Sequence, residues 1–274
     1  MLMVPVSSLI AMAAGAVVGI AAPVLLAWWL VKKYAVKTTP ILVGAGVFVV
    51  FALVLESLLH KAVLQGTFGA TILGNIWYYA LYGGLAAALF EETGRFLAMK
   101  FVLKKEPGTA LTAVGYGMGH GGIEMLLIYG LTMISNLVLS VLINSGQADT
   151  LFSNVPAEAQ AQVQAQFTQL ETLGFGSLML GLWERGSALI LQLGLSVVVW
   201  TAVRRGGKWL WLFPAAFFLH FLVDAVTVIL SKTVSMVAVE AIVFAMAVAV
   251  GAIAFMLAKS LSAGRPCPQD GTAQ

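Results

Sequence analysis

The chain is poor in charged residues and contains a single cysteine. Only 10% of its 274 residues are charged, 60% are hydrophobic, and the mean hydropathy is +0.96. A soluble domain carries about a quarter charged residues, so an ordinary soluble fold is excluded. The lone Cys267 excludes an internal disulfide framework. Because residues 1–30 contain no Lys or Arg, we expect no cleavable signal peptide.

Long apolar runs dominate what remains. A run of about 18 or more apolar residues is typical of a transmembrane helix. The sequence contains seven such stretches, at about 5–31, 40–59, 69–99, 109–143, 176–203, 209–230 and 234–258. We therefore predict an all-α, polytopic transmembrane bundle of about seven spans. Residues 1–264 would form a single transmembrane domain, followed by a tail over 265–274.

The basic residues indicate an orientation. If the N-terminus lies outside, one side of the membrane collects Lys32, Lys33, Lys37, Lys100, Lys104, Lys105, Arg204, Arg205, Lys208, Lys259 and Arg265. The other side receives only Lys61 and Lys232. Positive residues favour the cytoplasmic side, so we predict an outside N-terminus and a cytoplasmic tail. Because these residues lie in short loops, they predict no nucleic-acid partner.

One polar insertion interrupts the apolar pattern, at about 145–175, and it contains no Lys or Arg. The predicted topology places it outside the cytoplasm. From Pro156 onward its Ala and Gln content favours a helix, which we expect to rest on the membrane surface.

Ionisable residues within the spans share one depth. Each costs about 2.5–3.5 kcal/mol to insert, so each needs a physical reason. At 1.5 Å per helical residue, Glu91 lies roughly 13 Å above the cytoplasmic loop, and His120 and His220 roughly 16 Å above it. This is near the middle of a hydrocarbon core about 30 Å thick. Three helices therefore bring a carboxylate and two imidazoles to one level.

Each histidine has an acid four residues later. "GHGGIE" contains His120 and Glu124, and "HFLVD" contains His220 and Asp224. Residues at this spacing share one helix face. Both acids are expected about one turn further outward than their histidines.

The motif "EETGR" contains two adjacent glutamates and an arginine. Glu91 and Glu92 differ by about 100° around the helix, so they cannot face one point equally. Arg95 lies about one turn from both, and could hold one glutamate ionised while the other faces the site.

A second group of ionisable residues lies nearer the outer surface: Glu56, Glu184, Arg185 and Glu240. We interpret Glu184 and Arg185 as a structural polar pair that stabilises the bundle. Glu56, close to His60 and Lys61, is expected to reach toward the outer headgroups.

Three chemistries suit the midplane cluster. A buried carboxylate can activate water for hydrolysis while histidines stabilise an oxyanion. Alternatively, His120, His220 and Glu91 could bind zinc and leave a position for an activated water. Midplane acids and histidines also mark proton and metal-ion pathways. A network that only fixes helix packing is the remaining alternative.

Glycines surround His120 in the run "GYGMGHGG". Small residues allow close helix approach in membranes. The run also weakens the helix, so its backbone amides could meet an extended substrate.

In this order, "EETGR", "GHGGIE", "ERGSALILQ" and "HFLVD" resemble the YhfC family of intramembrane proteases. That family is similar to the CAAX prenyl endopeptidase and PrsW groups. The resemblance covers about residues 85–230. It implies that Glu91 or Glu92 activates the attacking water and that Arg95 orients the pair.

The resemblance also implies roles for the later motifs. His120 and His220 would polarise the scissile carbonyl or bind a metal such as zinc. Glu124 and Asp224 would orient these imidazoles.

One position departs from the expected pattern. We would expect a histidine at the end of "ERGSALILQ", where this chain has Gln192. Gln192 lies roughly 18 Å above the cytoplasmic loop, still near the level of the cluster. Glutamine can donate to an oxyanion but is a poor zinc ligand, which favours a metal-free mechanism.

These observations predict a glutamic-type, or alternatively metal-dependent, intramembrane endopeptidase. Its substrate would be a membrane protein or a membrane-associated peptide, and it would lie in the lipid bilayer of the bacterial cytoplasmic membrane. The alternative is a transporter coupled to protons or metal ions, and a non-catalytic binding role comes third.

Overall fold

Seven long helices form most of the chain, for which a computed structural model describes residues 3–153 and 155–262. They are α1 (Val6–Tyr34), α2 (Thr38–Leu64), α3 (Ile76–Leu97), α4 (Ala110–Asn144), α5 (Phe175–Arg205), α6 (Leu212–Leu230) and α7 (Met236–Ser262). Each corresponds to one predicted apolar stretch. The described residues contain no strand, so the prediction of an all-α, polytopic membrane protein is confirmed. Cys267 and the predicted tail at 265–274 lie outside the described residues.

Helix α3 differs from the other six, which are long and apolar enough to cross a membrane. Its 22 residues would span about 33 Å at 1.5 Å per residue, enough for a hydrocarbon core about 30 Å thick. Glu91, Glu92 and Arg95 lower its apolar character. The helix that least resembles a membrane span therefore carries the first predicted site motif.

Within the part of the chain that the structure describes, the 3-10 helix Gly207–Trp211 and three shorter α-helices join the long ones; the α-helices are Gly69–Leu73, Ala148–Ser153 and Ala157–Thr172. The last begins directly after Pro156, which confirms the helix predicted within the polar insertion. At the start of α3, Oδ1 of Asn75 accepts hydrogen bonds from the backbone N–H groups of Trp77 and Tyr78, at 2.9 and 3.4 Å. This N-cap fixes where α3 begins.

The chain forms two compact units, a division that nothing in the sequence indicates. The first comprises Met1–Leu25 and Glu124–Gly186, and its core includes Met12, Tyr129, Phe167 and Leu178. The second comprises Leu26–Ile123 and Ser187–Gln274. Its core includes Tyr116, Leu195, Val198 and Trp200.

In the second unit, small residues allow close contact between α3 and α6. Ala80, Gly84 and Ala88 are buried along one face of α3. A Cβ added to Gly84 would lie 2.9 Å from the carbonyl oxygen of Phe221 on α6. Glu92 comes next at the same four-residue spacing, so the small-residue stripe leads directly to the predicted site.

Helix α2 lies antiparallel to α3. Phe51 packs against Gly94, where an added Cβ would be 2.6 Å from the ring, and His60 pairs with Tyr82 further back along α3. On the other side, α2 meets α4, and a Cβ at Gly119 would overlap the carbonyl oxygen of Ile41. The glycines before His120 therefore serve close packing.

Basic loop residues gather at one end of the second unit. Lys37 forms a 3.0 Å ion pair with Glu106, and Arg204 donates to the carbonyl of Lys104 at 3.2 Å. Arg205 donates to the carbonyl of Ser260 at 2.7 Å. The assignment of this end to the cytoplasm remains a prediction.

Candidate active site in the second unit

Glu91 is held by two other helices. Its Oε2 lies 2.9 Å from Nε2 of His120 on α4 and accepts a 2.8 Å hydrogen bond from Nε2 of Gln192 on α5. Its side chain is 10% exposed. Glu91 is thus oriented by two donors that share one of its carboxylate oxygens, Oε2.

Two aromatic rings fix the imidazole of His120. The Phe48 ring meets it edge-on with centroids 5.2 Å apart, and the Tyr116 ring stacks at 6.0 Å. Because an ionised carboxylate can only accept, the contact with Glu91 assigns the proton to Nε2 of His120. Nδ1 is buried and has no hydrogen-bond partner among the described residues.

Glu92 faces a different set of partners from Glu91. Its Oε1 lies 2.8 Å from Nδ1 of His220 and 3.5 Å from the guanidinium of Arg95, one turn along α3. The side chains of Glu92 and Arg95 are both fully buried. The two adjacent glutamates are therefore divided between the two histidines.

His220 lies between two carboxylates. Nδ1 contacts Glu92, and Nε2 lies 3.5 Å from Oδ2 of Asp224, the acid one turn further along α6. The side chain of Asp224 is 34% exposed, whereas that of His220 is 4% exposed. The side chains of Glu92, His220 and Asp224 therefore become more exposed in that order.

Gln192 links Arg95 to Glu91. Its side-chain Oε1 accepts a short hydrogen bond from Arg95, while Nε2 donates to Glu91. The backbone carbonyl of Gln192 also accepts from Arg95, at 3.4 Å. At this position, where the resemblance led us to expect a histidine, the amide of Gln192 accepts from Arg95 and donates to Glu91.

The second unit thus brings together seven of the predicted site residues: Glu91, Glu92, Arg95, His120, Gln192, His220 and Asp224. The opposed charges suit a buried site, since Arg95 and the hydrogen-bond donors offset neighbouring carboxylates.

The other three predicted residues cluster in the first unit. NH1 of Arg185 lies 3.0 Å from Oε1 of Glu124, and NH2 makes a short contact with Glu184. Arg185 thus contacts two carboxylates rather than Glu184 alone. The role of orienting His120, which the resemblance implied for Glu124, remains a prediction.

Sequence reasoning missed the position of Glu56. Instead of reaching toward the headgroups, Glu56 is buried on α2, and its Oε1 lies 3.2 Å from Nε2 of His60. It interacts electrostatically with Glu91, His220 and Asp224. A single acid in an apolar span could have indicated a buried functional residue. The sequence of α2 alone, however, does not show that the Glu56 side of the helix faces α3.

A family model and a known protein that are similar to this chain both carry the name YhfC. A family model described as "YhfC intramembrane metalloprotease" matches residues 18–245. The uncharacterized membrane protein YhfC of Bacillus subtilis (strain 168) is 38% identical over 183 residues, covering 66% of this chain and 70% of the relative. No solved structure matches.

The description of the family implies a metal, but the arrangement of donors does not fit one. A catalytic zinc takes three protein ligands. Within residues 3–153 and 155–262, no three His, Cys, Asp or Glu groups are arranged to hold a metal ion. Both ring nitrogens of His220 face carboxylates, and the guanidinium of Arg95 lies beside Glu92. The predicted trio of His120, His220 and Glu91 therefore does not form a ligand set in this arrangement.

Proposed function

Because the chain belongs to the YhfC intramembrane metalloprotease family, we propose that it hydrolyses peptide bonds in or beside the membrane with water activated by Glu91. The resemblance seen in the sequence motifs is confirmed, and the protein is a multi-pass membrane protein. One observation carries the mechanistic proposal: two donors fix Glu91 through Oε2 while its side chain keeps 10% exposure, and we assign Oε1 to the water molecule.

Glu91 is a better base than Glu92. Glu92 is fully buried and uses Oε1 for both His220 and Arg95. Glu91 has partial exposure, and its two donors reach it from other helices. A general base needs both a fixed orientation and access to the proton that it removes.

The surrounding residues supply orientation and charge. His120 and Gln192 hold the carboxylate, and Arg95 holds Gln192. His220 is held by Glu92 through Nδ1, and its Nε2–H, whose 3.5 Å contact with Asp224 is longer than a normal hydrogen bond, would turn to the oxyanion of the tetrahedral intermediate. These groups are ordered before substrate arrives, which reduces the reorganisation needed during reaction.

In the proposed reaction, Oε1 of Glu91 takes a proton from water as the water oxygen forms a bond to the scissile carbonyl carbon. The carbonyl π electrons move onto oxygen. When the intermediate collapses, the oxyanion re-forms the carbonyl, the C–N bond breaks and its electron pair goes to nitrogen. The amine takes up one proton and Glu91 gives up the one it took from water, so the carboxylate is restored. The products are a new carboxyl terminus and a new amino terminus in or beside the membrane.

The proposal is tested by comparing protein termini in membranes from cells that express wild type, Glu91→Gln or Glu106→Gln. Gln preserves the size of Glu91 but cannot act as a base. Glu106 pairs with Lys37 in a loop and is the matched control. We expect new termini near transmembrane segments with wild type and Glu106→Gln only. Equal profiles for all three folded proteins would overturn the protease proposal and favour transport.

A further inference from the structure

A buried carboxyl group lies beside the candidate site but has no part in the reaction above. Glu56 is 9% exposed and is the last residue of a nine-residue π-type stretch of α2, Phe48–Glu56. Departures of this type from α-helical geometry are frequent at functional sites. A buried glutamate in a membrane helix needs a physical reason.

The helix contacts put Glu56 at the level of the site. On antiparallel α2 and α3, Phe51 meets Gly94 and His60 meets Tyr82. Glu56 lies between Phe51 and His60 on α2. It must therefore lie beside the part of α3 between Gly94 and Tyr82, which includes Glu91.

Several charged or titratable groups act on Glu56. On α3 and α6 these are Glu91, His220 and Asp224, which interact with it electrostatically. On α2, Nε2 of His60 lies 3.2 Å away, and Nδ1 of His60 lies 2.8 Å from the hydroxyl of Tyr82. No Lys or Arg in the described residues makes an ion pair with Glu56.

This environment contrasts with those of Glu91 and Glu92. Glu91 receives hydrogen bonds from His120 and Gln192, which favour its ionised form. Glu92 has Arg95 and His220. Both glutamates are thus engaged by donors or a cation, whereas hydrolysis of an amide needs a proton on the departing nitrogen.

We propose that Glu56 is the proton donor to the leaving amine, held in place by His60 and Tyr82. Burial and neighbouring carboxylates keep a carboxyl group in its neutral form when no strong cation pairs with it. Two carboxyl groups in contrasting environments are a recurrent way to divide base and acid roles. The inference rests on the proposed peptidase function.

The proton balance closes without another reactant. Glu91 takes one proton from water during attack. As the C–N bond breaks, Glu56 gives its carboxyl proton to the amine nitrogen and becomes an anion. The proton on Glu91 then passes to Glu56, directly or through water, so both carboxyl groups return to their starting forms. The net change is addition of one water molecule across the peptide bond.

The first test measures whether Glu56 carries a proton. Infrared spectra of the purified full-length protein in lipid vesicles at neutral pH would be compared for wild type, Glu56→Gln and Glu91→Gln. We expect a carbonyl band of a neutral carboxyl group in wild type and Glu91→Gln, and its loss in Glu56→Gln. An unchanged band in Glu56→Gln would overturn the proposal, whatever the substrate.

The second test separates proton donation from packing. The probes are a synthetic leucine–alanine transmembrane peptide and an analogue with an ester at the cleaved bond. An alkoxide leaves more readily than an amine, so loss of the acid should affect the amide selectively. We expect Glu56→Gln to slow amide cleavage by about 100-fold or more, in the range of general acid catalysis, and to slow ester cleavage much less.

Glu240→Gln is the matched control, because Glu240 is another buried glutamate of the second unit, on α7. It should leave the ratio of amide to ester rates unchanged. Equal slowing of both probes by Glu56→Gln would indicate packing and contradict the proposal. If Glu91→Gln abolishes cleavage and Glu56→Gln does not, the peptidase function stands and the proton-donor role fails. If wild type cleaves neither probe nor cellular proteins, the peptidase function itself fails, while the infrared result still decides the protonation of Glu56.

Discussion

The side-chain amide of Gln192 donates a 2.8 Å hydrogen bond to the carboxylate of Glu91. The other end of the same amide accepts from Arg95. This amide therefore transmits the position of a buried guanidinium to the carboxylate that we propose activates water. Its geometry yields the first prediction.

Replacing Gln192 with Leu should slow peptide cleavage by about 10- to 100-fold. Hydrogen bonds to charged groups contribute about 1.5–3 kcal/mol, and Leu can neither donate to Glu91 nor accept from Arg95. The measurement is kcat for the leucine–alanine transmembrane peptide. Thr201→Val, another buried change on α5, should retain kcat. A Gln192→Leu enzyme with wild-type kcat would show that the amide bridge is dispensable.

Replacing Arg95 with Met should destabilise the protein by about 3–5 kcal/mol, because Glu92 then keeps a buried charge without its cation. Adding Glu92→Gln should recover much of this loss. Unfolding in a series of SDS mixtures would give the free energies of the two single variants and the double variant. Additive losses would contradict the coupling.

Replacing Gly119 with Ala should prevent normal packing of α4 on α2. The added Cβ would overlap the carbonyl oxygen of Ile41, a backbone atom that cannot rotate away. We expect a loss at or above the upper end of the usual range for overpacking, about 1–3 kcal/mol. Gly83→Ala is the control, since nothing lies within 4 Å of its added Cβ. Thermal midpoints in detergent compare the two, and similar midpoints would refute the close approach.

Treatment with a zinc chelator should leave the rate of peptide cleavage unchanged. This expectation follows from the ligand arrangement in the described residues, where His220 faces carboxylates through both nitrogens and no three donors are arranged around one point. The experiment measures cleavage and bound metal before and after chelation. Loss of both, with recovery on adding zinc, would show that the ligands rearrange around a metal.

The sequence was sufficient to predict the long helices and the motifs that meet in the candidate site, while the depth of that site in the membrane remains a prediction. Apolar run length specified seven long helices, and the rise per residue brought Glu91, His120 and His220 to one level. The sequence was insufficient to predict which carboxylate contacts which histidine, because these contacts depend on how each helix is rotated and tilted against its neighbours. The spacing of His120 and Glu124 indicated only a shared helix face, whereas the contacts of Glu91 with His120 and of Arg185 with Glu124 depend on tertiary packing.

The charged character of α3 has a consequence for how the protein is made. Glu91, Glu92 and Arg95 emerge from the ribosome before His120, Gln192 and His220 have been synthesised. Until α4 is made, only the Glu92–Arg95 contact within α3 can offset the cost of placing these charges in lipid, and the contacts of His120, Gln192 and His220 follow as α4, α5 and α6 are completed. We therefore expect α3 to wait beside the insertion machinery, and to enter the bilayer together with the helices that follow it.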